Sequence, residues 1–351
     1  MAMNTMPRGI TAGVDTHLDA HVVAALDPIG GLLGVEAFAA TAAGYRALLR
    51  WLRSFGEVVK VGVEGTGSYG AGLTRLLLGE GIEVVEVDRP NRQVRRRRGK
   101  SDPQDAINAA RAALSGEADG QPKTRNGAVE AIRTLRLVRS SARKERTRAL
   151  NQMRSLVSTA PDELRAELRD LTIFRLVDRA GGYRPTDRRS VVGATKLALR
   201  VLARRVRALD AEIAELDAEL NPMVAAAAPQ LVAQTGVGTD SAGALLVAAG
   251  DNPQRLRSEA SFAHLCGASP IDASSAKQHR HRVNTGGARQ ASAELRRIVL
   301  VRLSHDPATR AYLERRTQDG LTKREAIRCL KRYVARDLYR QLPRERLACS
   351  S

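Results

Sequence analysis

The sequence predicts an α/β N-terminal domain, followed by a helical coiled-coil region and a mainly α C-terminal domain. Three patterns support this fold class. Short apolar runs separated by turns fill the beginning of the chain, and apolar residues three and four apart fill its middle. The remainder contains helical patterns interrupted by glycine turns. We place the three regions at residues 1–120, 121–228 and 229–345.

The N-terminal domain is predicted to follow the order βββ-α-β-α-β. Its first three strands are joined by tight turns, so they form an antiparallel meander, and the later strands extend it into a mixed sheet flanked by helices. The predicted strands are Ile10–Asp15, His21–Leu26, Leu32–Ala39, Val58–Glu64 and Ile82–Asp88, and the helices between them are Tyr45–Phe55 and Ser68–Leu78.

Four acids in this domain are candidates for one metal centre. Asp15 and Glu64 each end a predicted strand, where the strand ends of an α/β sheet open onto a ligand crevice. Asp102 and Asp105 lie on one face at the start of a helix that continues through Ala106–Leu114. Any one of these acids alone is more simply a capping or turn residue. Together they form a set of oxygen ligands that suits one or two Mg²⁺ ions and in-line phosphoryl transfer.

The positive charge is concentrated after the first domain. The chain has 57 Lys and Arg residues against 38 Asp and Glu, a formal net charge of +19. Residues 1–116 contain 14 basic and 12 acidic residues and the remainder contains 43 and 26, so the two net charges are +2 and +17. Such an excess indicates a polyanionic partner, most simply nucleic acid. A single-strand stacking platform is disfavoured by an aromatic content of 3%.

Other classes of protein fit the sequence poorly. The longest uncharged apolar runs, such as Met223–Pro229 and Ala242–Gly250, are far shorter than the ~20 residues of a membrane span. The first ten residues contain no apolar signal segment. Cys266, Cys329 and Cys349 have no metal-ligand spacing. We expect a cytoplasmic, nucleoid-associated protein that has no membrane partner.

The middle of the chain contains a heptad seam. Apolar residues alternate spacings of three and four for more than three repeats, which favours a coiled-coil dimer, although an ordinary helix packed within the chain shows the same pattern. The seam residues are Leu199, Leu202, Val206, Leu209, Ile213, Leu216, Leu220 and Met223.

Several further segments have both a structural and a functional interpretation. Gly236 and Gly238 resemble the turn of a helix-hairpin-helix motif that seats a phosphate, but such turns also simply pack two helices closely. A basic tract precedes Asp102, and we favour phosphate contact over a merely solvated loop. Its cations are Arg95, Arg96, Arg97, Arg98 and Lys100.

Two histidine pairs are not assigned to a metal. His17 and His21 lie in and after a predicted turn, which favours structural or surface roles. His279 and His281 lack the spacing of a helical zinc site, so phosphate contact or exposure is expected.

Three motifs together resemble the RuvC-like DEDD transposases of insertion sequences. They are Gly13-Val14-Asp15-Thr16, Val63-Glu64-Gly65-Thr66-Gly67-Ser68-Tyr69 and Lys100-Ser101-Asp102-Pro103-Gln104-Asp105-Ala106. The resemblance implies a ribonuclease-H-like first domain, Mg²⁺ ligands at Asp15, Glu64, Asp102 and Asp105, a homo-oligomer (dimer or tetramer), and guidance by a bridge RNA.

The resemblance also extends to a C-terminal serine. In this family a nucleophilic serine follows a Gly-x-x-Pro segment by five residues, which implies Ser275 here. The family commonly has Gly after that serine, whereas this chain has Ala276, so Ser274 stays an alternative. The nearby basic residues Lys277, Arg280 and Arg282 are candidates for contacting the DNA phosphate.

The sequence therefore predicts a Mg²⁺-dependent transposase or recombinase that acts on double-stranded DNA at element ends and target. A covalent phosphoserine intermediate at Ser275 and a structured guide RNA are part of this prediction. The main alternative is a nuclease resembling Holliday-junction resolvases, which uses metal-activated water. A non-enzymatic nucleic-acid scaffold is the third interpretation.

Overall fold

The structure is a computed structural model that describes residues 9–87, 101–272, 281–284 and 286–343. These residues form two compact units. The first comprises residues 9–87, 101–127 and 249–257, and the second comprises residues 128–248 and 258–343 within the described ranges. Among the described residues, none of the helices combines the length and the apolar composition that a membrane span needs.

The first unit contains a mixed five-stranded sheet, as predicted. Its strands are β1 (Gly9–Thr16), β2 (Ala20–Leu26), β3 (Leu32–Ala39), β4 (Glu57–Glu64) and β5 (Glu83–Val87). They lie in the order β3-β2-β1-β4-β5. The β1–β2 and β2–β3 pairs are antiparallel, whereas β1–β4 and β4–β5 are parallel. Because β1 and β4 are parallel neighbours, the carboxyl end of β1 lies beside that of β4.

Three helices accompany this sheet: α1 (Ala42–Arg53), α2 (Ala71–Gly79) and α3 (Asp102–Ser115). The side chain of Thr41 accepts a hydrogen bond from the backbone N–H of Gly44, which caps α1. Leu48 and Leu52 of α1 are fully buried against the apolar residues of β1 and β4. The prediction of an α/β fold with this element order is therefore confirmed.

A segment from much later in the chain belongs to the first unit. The side-chain amide of Asn252 donates to the carbonyl of Pro122 at 3.0 Å, and its oxygen accepts from the backbone N–H of Thr124 at 3.2 Å. The Arg255 guanidinium donates to the carbonyl of Ala249 at 2.9 Å. The two Asn252 bonds attach residues 249–257 to the connection that follows α3 and Gly116, and the Arg255 bond lies within that segment.

The second unit is built on a long antiparallel helix pair. Helix α4 (Ala128–Ser158) packs along α7 (Val191–Ala227), with the short helices α5 (Asp162–Leu168) and α6 (Ile173–Gly181) between them in sequence. Met153 of α4 and Leu199 of α7 lie in one buried cluster. Ion pairs join Arg139 to Asp217 and Arg146 to Asp210, so the helices run in opposite directions.

The predicted heptad seam is thus partly covered within the chain. Leu199 and Leu202 at its start and Leu220 near its end are buried. In the middle, Leu209, Ile213 and Leu216 stay partly exposed. The seam therefore has a partner in the same chain and still exposes part of its apolar surface.

The remainder of the second unit is mostly helical, which confirms the predicted mainly α region. The apolar spacings in the sequence predict helices at Gln290–Leu303 and Thr322–Leu338, and the structure contains both, together with a helix between them, Pro307–Gln318, that these spacings do not predict. The elements are α8 (Pro229–Val232), α9 (Thr239–Ala249), α10 (Glu259–Leu265), β6 (Pro270–Asp272), β7 (His281–Val283), α11 (Arg289–His305), α12 (Pro307–Gln318) and α13 (Lys323–Tyr339).

Candidate metal centre

The first two candidate acids end neighbouring parallel strands. The register pairs Val14 of β1 with Val63 of β4, so Asp15 and Glu64 occupy the next step of the two strands. The Thr16 hydroxyl donates to the backbone carbonyl of Glu64 at 2.8 Å and ties these strand ends together. Asp15 is 5% exposed, and Glu64 is half-buried.

Two glycines let α3 lie directly on these strands. Gly13 and Gly62 are register partners. A Cβ atom on Gly13 would lie 2.0 Å from the nitrogen of Ala110, and one on Gly62 would lie 2.8 Å from the carbonyl oxygen of Ala109. Helix backbone therefore occupies the space that side chains would fill, and this close approach positions α3.

The first turn of α3 carries the other two acids. Ser101 has the extended backbone of an N-cap, and Pro103 occupies the first turn. The backbone N–H of Asp105 donates to the carbonyl of Ser101 at 3.0 Å. Asp105 is 6% exposed, whereas the Asp102 side chain is 46% exposed. One acid of this turn is thus buried and the other is accessible.

The acids interact electrostatically. Burial raises the pKa of the Asp15 carboxyl, and the negative charges of Asp105 and Asp102 raise it further, while His17 opposes this shift. Because burial and neighbouring negative charges disfavour the ionised form of Asp15, a bound cation would stabilise the ionised carboxylates. One ligand atom from each of Asp15, His17 and Asp102 lies within 4.8 Å of the others. This donor set can hold a divalent metal ion.

His17 is the site residue that sequence reasoning missed. Its Nε2 lies 3.1 Å from Asp15 Oδ2 and 3.5 Å from Asp102 Oδ1. The expected turn is present, but it directs this imidazole to the acids. His21 differs, because it is fully buried and stacks on Tyr45 with ring centroids 5.4 Å apart. The spacing Asp-x-His at a strand end was the signal in the sequence.

The loop after Glu64 adds a cation that sequence analysis did not single out. Gly65 has a φ of +69°, and a Cβ on Gly67 would lie 2.8 Å from Nη2 of Arg125. Arg125 itself has a φ of 51°, which non-glycine residues seldom adopt. The Arg125 guanidinium therefore packs on the turn that directly follows one of the candidate acids.

The second unit contains the predicted Gly236–Gly238 turn. Gly236 has a φ of +79°, and Gly238 would accommodate a Cβ without any contact within 4 Å. Immediately after this turn, four arginines surround the Asp240 carboxylate. They are Arg136, Arg139, Arg143 and Arg297, with nitrogen–oxygen distances of 2.7, 3.0, 3.2 and 3.5 Å. The glycine turn thus begins a helix that is anchored to α4 and α11.

Other predicted site residues lie outside the described residues. They are Arg95, Arg96, Arg97, Arg98, Lys100, Ser274, Ser275, Lys277 and Arg280, together with His279. The backbone of Arg282 lies in β7, where it pairs with Ile271 of β6. Their roles stay predictions.

Comparison with known proteins places both parts of the chain in one family. Residues 12–161 match a family model described as "Transposase", that of the DEDD transposases of the IS110 type. Residues 229–314 match the model described as "Transposase IS116/IS110/IS902 family". No curated protein matches the chain significantly. The first matched region contains all four candidate acids, and the two regions together span most of the chain. The chain therefore belongs to the IS110-type DEDD transposases, a family of DNA-binding transposase and recombinase enzymes.

Proposed function

We propose that this transposase cuts and exchanges the DNA strands of an insertion sequence at a Mg²⁺ centre held by Asp15, Glu64, Asp102 and Asp105. One observation carries the proposal: β1 and β4 end side by side, and α3 presents its first turn to Asp15. Bound Mg²⁺ would supply charge stabilisation to a scissile phosphate. The carboxylates hold the ion, and their mutual repulsion is relieved by it.

In this proposal Ser275 is the nucleophile. Its Oγ bonds to phosphorus while one P–O bond of the DNA strand breaks, and the serine proton leaves with the departing strand oxygen. The number of phosphoester bonds is unchanged, so a second strand end can reverse the step and reseal the DNA. Lys277 and Arg280 or Arg282 neutralise the phosphate oxygens. Family membership and the position of Ser275 inside the second matched region support this role.

The basic remainder of the chain holds nucleic acid. Its net charge of +17 supports contacts with the phosphates of double-stranded element ends and target, and of a structured bridge RNA. Gly236 and Gly238 are proposed to seat a backbone phosphate at the start of α9. The basic tract Arg95–Arg98 with Lys100, which precedes Asp102 in the sequence, is also proposed to contact phosphate. These contacts imply a cytoplasmic protein associated with the nucleoid.

The same chain is proposed to assemble as a dimer or tetramer. Leu209, Ile213 and Leu216 are partly exposed on α7, in the same apolar seam as the buried Leu199, Leu202 and Leu220. A second copy that covers them would form the coiled coil. The three-part division at residues 120 and 228 belongs to this proposal.

Covalent trapping tests the serine chemistry. Labelled element-end DNA is incubated with the protein and Mg²⁺, and protein-linked label is measured after denaturation. We expect an adduct with wild type, none with Ser275→Ala, and an undiminished adduct with the neighbouring control Ser274→Ala. Loss of the adduct with Ser274→Ala alone would move the nucleophile to that residue.

The same variants distinguish the covalent serine mechanism from the main alternative, a nuclease that uses metal-activated water. If Ser275→Ala and Ser274→Ala both retain full strand exchange, the covalent mechanism is wrong and a resolvase-like hydrolysis by metal-activated water is favoured. The non-enzymatic scaffold would survive only if the Asp15→Ala and Glu64→Ala variants kept full biological activity, and that result would also contradict the metal centre. Sequencing the RNA that co-purifies with the expressed protein tests guidance, because the absence of element-derived RNA would contradict it.

A further inference from the structure

The imidazole of His17 lies beside two of the site acids, the buried Asp15 and the exposed Asp102. Its backbone N–H donates to the carbonyl of Ala20 at 3.1 Å, which closes the turn between β1 and β2. This turn holds the side chain, 41% exposed, with Nε2 at 3.1 Å from Asp15 Oδ2 and 3.5 Å from Asp102 Oδ1. The same nitrogen atom thus faces both carboxylates.

These distances suit ligands of one metal ion. Octahedral bonds of about 2.1 Å place neighbouring ligand atoms about 3.0 Å apart, and opposite ones about 4.2 Å apart. The two separations at His17 Nε2 are close to the smaller value, and the three donor atoms all lie within 4.8 Å of one another. A single ion therefore reaches all three side chains with small adjustments of exposed groups.

We propose that His17 is a metal ligand, so that one ion position in this centre has a nitrogen donor and favours Mn²⁺ or Co²⁺ over Mg²⁺. Mg²⁺ prefers an all-oxygen shell, whereas imidazole binds later divalent ions more strongly. The inference rests on the proposed metal centre and adds an ion preference to it. The candidate acids Glu64 and Asp105 offer only oxygen donors, so the preference belongs to the position that His17 shares with Asp102.

Electron spin-echo spectroscopy of the full-length protein with Mn²⁺ alone tests this directly. A bound imidazole produces modulation from the coordinated ¹⁴N, whatever the activity of the enzyme. We expect this modulation in wild type and its loss in His17→Gln, with Mn²⁺ affinity lowered at least about tenfold and Mg²⁺ affinity changed less. His305→Gln is the matched control, because His305 is an exposed histidine on α11 of the second unit.

A second variant keeps the number of ligands and changes the atom. His17→Asp should bind Mn²⁺ without ¹⁴N modulation and shift the ion preference toward Mg²⁺. Mn²⁺ binding to wild type with no ¹⁴N modulation would overturn the role of His17, as would unchanged modulation in His17→Gln. The acid centre would survive that outcome if Asp15→Asn abolished Mn²⁺ binding. Absence of any Mn²⁺ or Mg²⁺ binding to wild type would overturn both proposals.

Discussion

Gly13 and Gly62 lie opposite each other in the parallel β1–β4 pair, and backbone atoms of α3 occupy the space above both. The helix that carries Asp102 and Asp105 is therefore positioned by two residues without side chains. In the sequence these glycines look like ordinary members of apolar strands. Their importance follows from close approach, because a methyl group would push the helix away from the sheet.

Gly13→Ala should displace α3 and weaken the metal centre. We expect a loss of about 1–3 kcal/mol of unfolding free energy from overpacking, and a weaker metal-induced rise in melting temperature. Urea unfolding and thermal melts with and without Mn²⁺ measure the two effects. Gly79→Ala is the matched control, since a Cβ there meets nothing within 4 Å at the end of α2. Equal effects of the two substitutions would contradict the role of Gly13.

Asp15→Asn should have opposite effects on stability and on metal response. The raised pKa of Asp15 means that its ionised form is disfavoured on folding, chiefly by burial. The neutral variant should therefore melt higher than wild type in EDTA at pH 7, yet lose the stabilisation by divalent ions and the strand cleavage. In metal-free wild type, the raised pKa of Asp15 contributes stability that is complete below the pKa of the unfolded state. This stability is lost as pH rises through the raised pKa of the folded state. If Asp15→Asn melted below wild type in EDTA, the negative charge of Asp15 would not be destabilising the metal-free protein.

Asp240→Asn should destabilise the second unit. Burial alone would raise the pKa of Asp240, but the charges of Arg136 and Arg139 hold it below its ordinary value. Removing the carboxylate leaves half-buried arginines without their shared partner. We expect this to lower the free energy of unfolding by about 3 kcal/mol. Glu145→Gln, which breaks an exposed pair with Arg148, should change stability by less than about 1 kcal/mol.

The loss of stability caused by Asp240→Asn should depend on pH. A lowered folded pKa gives stability that is present above the ordinary value of 3.8 and is lost as pH falls through the folded pKa. The difference in unfolding free energy between wild type and Asp240→Asn should therefore shrink under acid conditions. Urea unfolding at pH 7 and at progressively lower pH measures it, and a constant difference would contradict the charge interaction.

Two substitutions in α7 should separate folding from assembly. Leu199→Ala removes a fully buried side chain and should cost about 2–5 kcal/mol at any protein concentration. Ile213→Glu places a charge at a partly exposed seam position, so it should leave the monomer folded and reduce association. Sedimentation and unfolding at several protein concentrations distinguish the effects. An unchanged oligomer in Ile213→Glu would contradict the coiled-coil proposal.

The element order of the first unit, its mixed sheet and the family could be predicted from the amino-acid sequence. Local patterns suffice for these, because strand alternation, Pro103 after Ser101 and the motif spacings are properties of neighbouring residues. The helix α12 was missed, since its apolar residues are few and its start depends on Asp306, which caps it.

The positions of the candidate site residues relative to one another follow from long-range contacts in the folded chain. The register of β1 and β4 brought Asp15 beside Glu64, and the turn after β1 directed His17 rather than His21 to the acids. Likewise, Asn252 joins residues 249–257 to the first unit by a hydrogen bond to Pro122, which lies 130 residues earlier in the sequence. Such placements depend on long-range pairing and close packing, which the spacing of residues along a chain does not encode.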